Sequence, residues 1–323
     1  MKLSNASPPF LHTDVTVMSM LGDRIFALCA LLVIPTVRYG PRPLVMAGLS
    51  VLICLVCELL TGLMRKEGVP VTEWSFAVTG LVITMLMPVN APLWLPCAAC
   101  LFAELAAKAP FGGFGRTPFN PAAAGVAFAT LCWPKQMFSY VDPAEPQWLP
   151  VWGECSVHTA QSAAAYLKSG LKPDILPFDM LWGDMAGPLG TGAALVIGAC
   201  ALLLFVRRAA HAETTLCFLA AAAALAALFP RIACSPLTSV KYELLSGSLF
   251  FCSVFLMDPV SSLHTAAGRC IYGAAAGGLL MAFRHFGAYE QGAVFAVLIA
   301  NALSPLISSA VGRARGWEGS VYG

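Results

Sequence analysis

The chain is 323 residues long, 58% hydrophobic and 11% charged, with a net charge of +2 and a mean hydropathy of +0.76. Soluble domains carry about 25% charged residues, so a chain this poor in charge cannot coat a water-facing surface. It reads as an all-α polytopic membrane protein, and no basic stripe points to nucleic acid.

Residues 1–24 open with MKLSNASPPFLHTDV, lack the apolar core of a signal peptide and read as a polar arm. Ten apolar segments follow, near 25–38, 43–64, 75–88, 92–111, 118–133, 187–206, 214–229, 243–257, 268–284 and 290–311. Several fall short of the ~20 residues that a full crossing needs. The third and the eighth are short and end at Pro88 and at Asp258-Pro259. Such matched interruptions predict broken or re-entrant helices around a central site.

The segments form two repeats, 25–133 and 187–312, followed by a cytoplasmic tail at 313–323. Gly80, after Thr79, and Gly125 stand 45 positions apart, as do Gly247, after Ser246, and Gly292. Both copies run from hydroxyl-Gly through an apolar stretch ending in Met-Pro or Met-Asp-Pro, then Phe-Gly, then Gly-x-x-Phe-Ala-x-Leu. Five segments per half is an odd number, so the second half enters the membrane inverted relative to the first.

Between the halves lies a polar excursion, 134–186, with Trp148, Trp152, His158 and a helix-like stretch at 159–170. Loops of this length are usually functional or disordered. Arg65-Lys66, Arg116, Arg207-Arg208, Arg313 and Arg315 fall on alternate loops and favour a cytoplasmic N-terminus, although Arg38, Arg42, Arg231 and Lys241 run against the bias. On that topology the excursion is extracytoplasmic.

Glu58, Glu104 and Asp258 lie within or beside apolar segments, where an ionisable group is costly and therefore a functional candidate. Glu58, near a segment end, also suits an interfacial carboxylate reaching water. Glu104 is four residues before Lys108 and suits an i,i+4 pair as well as an ion pathway. Asp258, with Ser261 and Ser262 beside it, offers hard oxygen ligands for a cation or proton path. Cys54-x-x-Cys57 and Cys97-x-x-Cys100 place thiols on single helix faces and read as packing residues. The five histidines show no ligand spacing, and no metal site is expected.

The stretch GGFGRTPFNPAAAG (112–125) lacks the Lys-Ser/Thr pair and the strand of a phosphate loop. Its Arg116 and Asn120 suit contact with an anion or a polar ring, or simply a tight turn that starts a helix at Pro121. At this point the chain resembles a known family. FGGFGRTPFNPAAAG is similar to the Gly-Gly-x-Gly-x-Asn-Pro-Phe-Asn-Pro-Ala signature of the D subunit of the Rnf electron-transport complex and of the related B subunit of the sodium-translocating NADH:quinone reductase. VTGLVITMLMPVNAPLW (78–94), FLMDPVSS (255–262) and AYEQGAVFAVLIAN (288–301) resemble further family motifs in the same order.

The resemblance implies a multi-pass subunit in the bacterial cytoplasmic (inner) membrane. Its complex is a multisubunit oxidoreductase that couples electron transfer between ferredoxin or NADH and an acceptor to sodium or proton movement. Asp258 and Glu104 become candidates for the ion pathway. The resemblance also implies FMN, esterified through its phosphate to a threonine of a Ser/Thr-Gly/Ala-Ala-Thr motif by a separate flavin transferase. Leu167-Lys168-Ser169-Gly170 sets a register that aligns Thr159-Ala160-Gln161-Ser162 with this motif. Ser162 then stands at the flavinylated position, Thr159 is the alternative hydroxyl, and an unmodified N-capped helix is the third reading. Residues 182–193 resemble a second motif in which Asp184 replaces an asparagine and Thr191 a glutamate, placing both near a flavin. Two other functions suit the same scaffold: a flavin-less structural subunit, and a solute channel or transporter on a fold that resembles the urea channels.

Overall fold

The computed structural model describes residues 16–65, 74–143, 148–152, 159–232, 235–246, 248–257, 263 and 265–314. The first half opens with α1 (Val17–Tyr39) and α2 (Arg42–Arg65), both long enough to cross a bilayer. α1 starts eight residues before the apolar segment expected from 25. Thr16 and Ser19 form a reciprocal cap, each side-chain oxygen accepting the other's backbone N–H at 3.2 and 3.1 Å, and this places the helix start among polar residues. Phe26, Val33, Val37, Leu52, Leu60 and Leu63 are exposed along these two helices, an apolar outer surface that only lipid or another subunit can cover.

α3 (Ser75–Met85) spans only 11 residues, and nine of them are buried. A helix of that length rises about 16 Å, half a bilayer core, so the expected interruption at Pro88 is present. The carbonyls freed at the break find partners in the segment that leads into the second half: Gly190 N–H donates to Met85 O at 2.7 Å and Leu189 N–H to Met87 O at 3.0 Å. A Cβ on Gly190 would stand 2.6 Å from Met85 Cβ, so this approach needs glycine. α4 (Trp94–Phe102) continues through a π turn (Ala103–Lys108) and a 3₁₀ turn (Ala109–Phe111). α5 (Pro121–Cys132) starts at Pro121 as expected, with Asn120 Oδ1 accepting the Ala123 N–H at 3.2 Å.

The described residues of the excursion between the halves are structured. It contains α6 (Pro134–Met137), an antiparallel pair β1 (Tyr140–Val141) and β2 (Thr159–Ala160), α7 (Ala163–Lys168) and α8 (Pro177–Trp182). Ala163, Leu167 and Met180 of this segment form a small apolar cluster with Ile232 and Tyr242 of the second half.

The second half has α9 (Ala194–Val206), α10 (Ala212–Leu228), α11 (Pro236–Leu245), α12 (Ser248–Phe251) with a π turn (Cys252–Leu256), α13 (Ala266–Phe286) and α14 (Ala293–Ala314). α11 and α12 are bent by 62° and form one interrupted element, so each half has five elements with the third one broken. The bend lies near Ser246, and the helix before it begins at Pro236, earlier than the segment expected from 243. Gly273 and Gly277 seat α13 on α10; a Cβ on either would collide with the carbonyl oxygen of Thr214 or Phe218. Among the described residues, α1, α2, α13 and α14 are full-length apolar spans, and the bent pair is a broken span or a re-entrant loop.

The halves run in opposite directions. Arg42, at the start of α2, donates to Pro150 O in the connecting segment, so the far end of α2, with Arg65, lies away from that segment. Arg65 in turn reaches Ala109 O at the end of the first half's fourth helix. The end of the second half's fourth helix, α13, leads instead to Glu290, which meets Ser162 of the connecting segment.

Candidate functional site

Two buried ionic clusters stand at opposite ends of the molecule. At the end away from the connecting segment, Lys108 Nζ lies 3.2 Å from Glu58 Oε1 and 3.3 Å from Glu104 Oε2 and donates to Ser75 Oγ at 2.9 Å. All four side chains are buried. α2 supplies Glu58, the start of α3 supplies Ser75, and the π turn after α4 brings Glu104 and Lys108 to one face. Two carboxylates share one ammonium, and Glu58 Oε2 has no hydrogen-bond partner. Such an atom carries a desolvation cost that a proton or cation would relieve. The cluster borders a cavity of about 280 Å³, also lined by Arg65 and Arg116.

At the loop end, Arg284 Nη1 donates to Glu243 Oε2 at 2.6 Å and to Ser246 Oγ at 2.7 Å, and Nη2 donates to Ser248 Oγ at 2.9 Å. Arg231 makes a second ion pair with Glu243. Here one carboxylate holds two guanidinium groups. In the sequence Ser246 stood out only as a repeat marker and Arg231 only as a loop charge, while Glu243 and Arg284 sit at the ends of apolar segments and drew no functional reading.

Of the expected ion-pathway residues, Glu104 is thus in a cluster, whereas Asp258 lies outside the described residues, as do Ser261 and Ser262. Arg116 and Asn120 are not brought together. Arg116 is exposed at the 280 Å³ cavity, while Asn120 Nδ2 donates to Leu256 O at 2.9 Å. Asn120 therefore caps α5 and also holds the end of the second half's broken element. Cys54, Cys57 and Cys100 are buried in the helix packing.

The residues set against a flavin lie in and around the connecting segment. Ser162 is 3% exposed and N-caps α7: its Oγ accepts the Ala165 N–H at 3.1 Å and donates to Glu290 Oε2 at 2.9 Å. Burial pushes the Glu290 carboxyl up from its ordinary range, and hydrogen bonds from Ser162 and Tyr140 pull it partly back. Thr159 is exposed on β2, opposite Val141. Asp184 pairs with Arg38, whose Nη1 also donates to Gly183 O at 2.6 Å. Thr191 is 1% exposed, and its hydroxyl donates to Pro188 O at 3.0 Å.

A cavity of about 500 Å³ lies beside this segment, lined by Ala160, Gln161 and Tyr166 with Asp142, Asp174 and Asp184. Among its described lining residues are three aspartates and no lysine or arginine. FMN esterified to Ser162 does not fit these surroundings, since the ester would remove the hydrogen donated to Glu290 and set a phosphate anion against a carboxylate.

The sequence profile of the NQR2, RnfD, RnfE family matches residues 4–315. The chain is 30% identical to the D subunit of the ion-translocating oxidoreductase complex of Yersinia enterocolitica, with 94% of this chain and 95% of that protein covered. It is 29% identical to the protein of the same description from Tolumonas auensis, covering 95% and 97%. For the Escherichia coli protein of that description the identity is 30%, covering 94% and 95%.

Proposed function

Because the chain belongs to the NQR2, RnfD, RnfE family and is a membrane subunit of an Rnf-type ion-translocating oxidoreductase complex, we propose that its own part in that complex is to move a cation. Sodium ion or proton enters at the Glu58–Glu104–Lys108 cluster, while electrons pass through partner subunits. The observation that supports this most is the buried sharing there: two acids divide one buried ammonium, and Glu58 Oε2 is unpartnered beside a polar cavity that Arg65 and Arg116 also line. A fixed structural ion pair has no need of the second acid, whereas a transient cation does. Placed by the charge bias of the loops, this cluster opens to the cytoplasm and the connecting segment faces outward.

The test is labelling of the assembled complex with a hydrophobic carbodiimide, read by peptide mass at Glu58 and Glu104. Sodium that protects both from labelling identifies a sodium site. Labelling that ignores sodium and falls as pH rises identifies a proton site. Carboxylates that never react would remove the cluster from the pathway.

A second reading keeps the cofactor implied by the resemblance. Thr159 is the exposed hydroxyl of the motif, and a flavin transferase acting on the folded chain would reach it and not Ser162. FMN there would supply one- or two-electron transfer at the outer face.

A further inference from the structure

Ser162 stands where the family resemblance sets a flavin-bearing hydroxyl, yet its neighbours give it a different task. We infer that Ser162 is a latch: it ties the connecting segment to the second half and carries no phosphoester. Both hydrogen-bonding roles of the hydroxyl are in use, one to the Ala165 N–H and one to the Glu290 carboxylate. Esterification would end the second and leave Glu290, a half-buried acid, without that donor. The nearby cavity receives Ala160, Gln161 and Tyr166 but not Ser162, so a group attached to Ser162 does not open into it.

The same contact belongs to a set of ties along one seam. Lys168 Nζ donates to Ala288 O, Gln291 Nε2 donates to the Tyr140 hydroxyl at 3.0 Å, and the Tyr242 hydroxyl donates to Ile175 O at 3.3 Å. Phe138 stacks on Tyr289 with ring centres 5.6 Å apart. Leu167 and Met180 pack on Ile232 and Tyr242 below. The segment is thereby fastened over the end where Arg284 and Glu243 are buried, and Ser162–Glu290 is its part-buried polar link. This latch is independent of the cation site: either can be present without the other.

The test uses the full chain co-expressed with a flavin transferase. Peptide mass is read for an FMN adduct, and hydrogen exchange is followed over residues 159–170. The Ser162 peptide is expected unmodified. Ser162→Ala and Glu290→Ala should each speed exchange of the α7 amides by about tenfold, and the double variant should add nothing further to the Glu290→Ala effect beyond loss of the cap. An adduct on Ser162 overturns the latch, and so does a Glu290→Ala variant with unchanged exchange. An adduct on Thr159 with Ser162 unmodified supports the latch and favours the second functional reading.

Discussion

Lys108 and Arg284 hold matching places in the two halves. Each is a buried cation at the end of its half's fourth helix, and each reaches a serine of the broken third element: Ser75 Oγ at 2.9 Å for Lys108 and Ser246 Oγ at 2.7 Å for Arg284. Their partners differ. Lys108 faces two carboxylates, whereas Arg284 shares one carboxylate with Arg231. Because the halves run oppositely, the duplication has left an acid-rich cluster at one end and a base-rich one at the other. On the function proposed above, a cation binds at the first, and the second excludes it while Glu243 holds both guanidinium groups.

That difference sets opposite outcomes for one kind of substitution. Arg284→Met leaves Glu243 with a single guanidinium and takes one donor from each of the Ser246 and Ser248 hydroxyls, which keep their own bonds to Glu243 O and Ser246 O, and should destabilise the detergent-solubilised protein by about 3–5 kcal/mol. Lys108→Met removes the ammonium that two acids share, and they can answer by taking up a proton. Its loss should be smaller, and should shrink further as pH falls. Thermal unfolding of both variants across a pH series is the check.

Asn120→Ala should cost about 2 kcal/mol, from a lost N-cap and a lost bond to Leu256 O. Asn120→Asp keeps the cap acceptor but not the amide donor. It should recover the cap alone and remain well below wild type in the same unfolding assay.

Gly277→Leu drives a side chain into the Phe218 carbonyl on α10. Overpacking of this kind costs about 1–3 kcal/mol, and here it pushes apart two spans held by backbone contact. Gly278→Leu, one position along, meets only Leu225 Cδ1 at 3.8 Å and should be tolerated. A lowered melting temperature for the first with little change for the second is the expected pair of results.

Burial raises the Glu290 carboxyl above its ordinary value of 4.5. The charged and titratable groups around it are Tyr140, Lys168 and Arg284. A group raised in the closed state favours closure fully below about pH 4.5, and that contribution is lost as pH rises through the raised value. Exchange of the α7 amides, after correction for intrinsic rates, should therefore slow on acidification from neutral pH. Glu290→Gln should flatten the profile.

The architecture was legible because its causes are local. Pro88 marks a break, Pro121 a helix start, and the matched glycine intervals a duplication, while Asp258-Pro259 lies outside the described residues. Boundaries failed where polar residues extend a helix past its apolar stretch, as at Val17 and Pro236. The charge bias was blurred by Arg38, Arg42 and Arg231, and each of these is bound to protein partners: Asp184, backbone carbonyls and Glu243. A paired arginine says less about which side a loop faces than a free one. Of the site, Glu58 and Glu104 were visible as charges within or beside apolar runs, and Lys108 as the i,i+4 partner of Glu104. Glu58 and Ser75 come from other helices, and no spacing in the chain foretells their meeting. Ser162–Glu290 joins residues 128 positions apart, beyond the reach of any motif.

The number of cations moved per electron decides whether the acid-rich cluster conducts. In proteoliposomes holding the assembled complex, Glu104→Gln should lower electron-driven cation uptake by at least about tenfold, the loss of one charge-assisted site, while electron transfer continues in uncoupled membranes. An unchanged ratio in both Glu104→Gln and Glu58→Gln, with the complex intact, would contradict conduction through this cluster and place the ion path in a neighbouring protein of the complex.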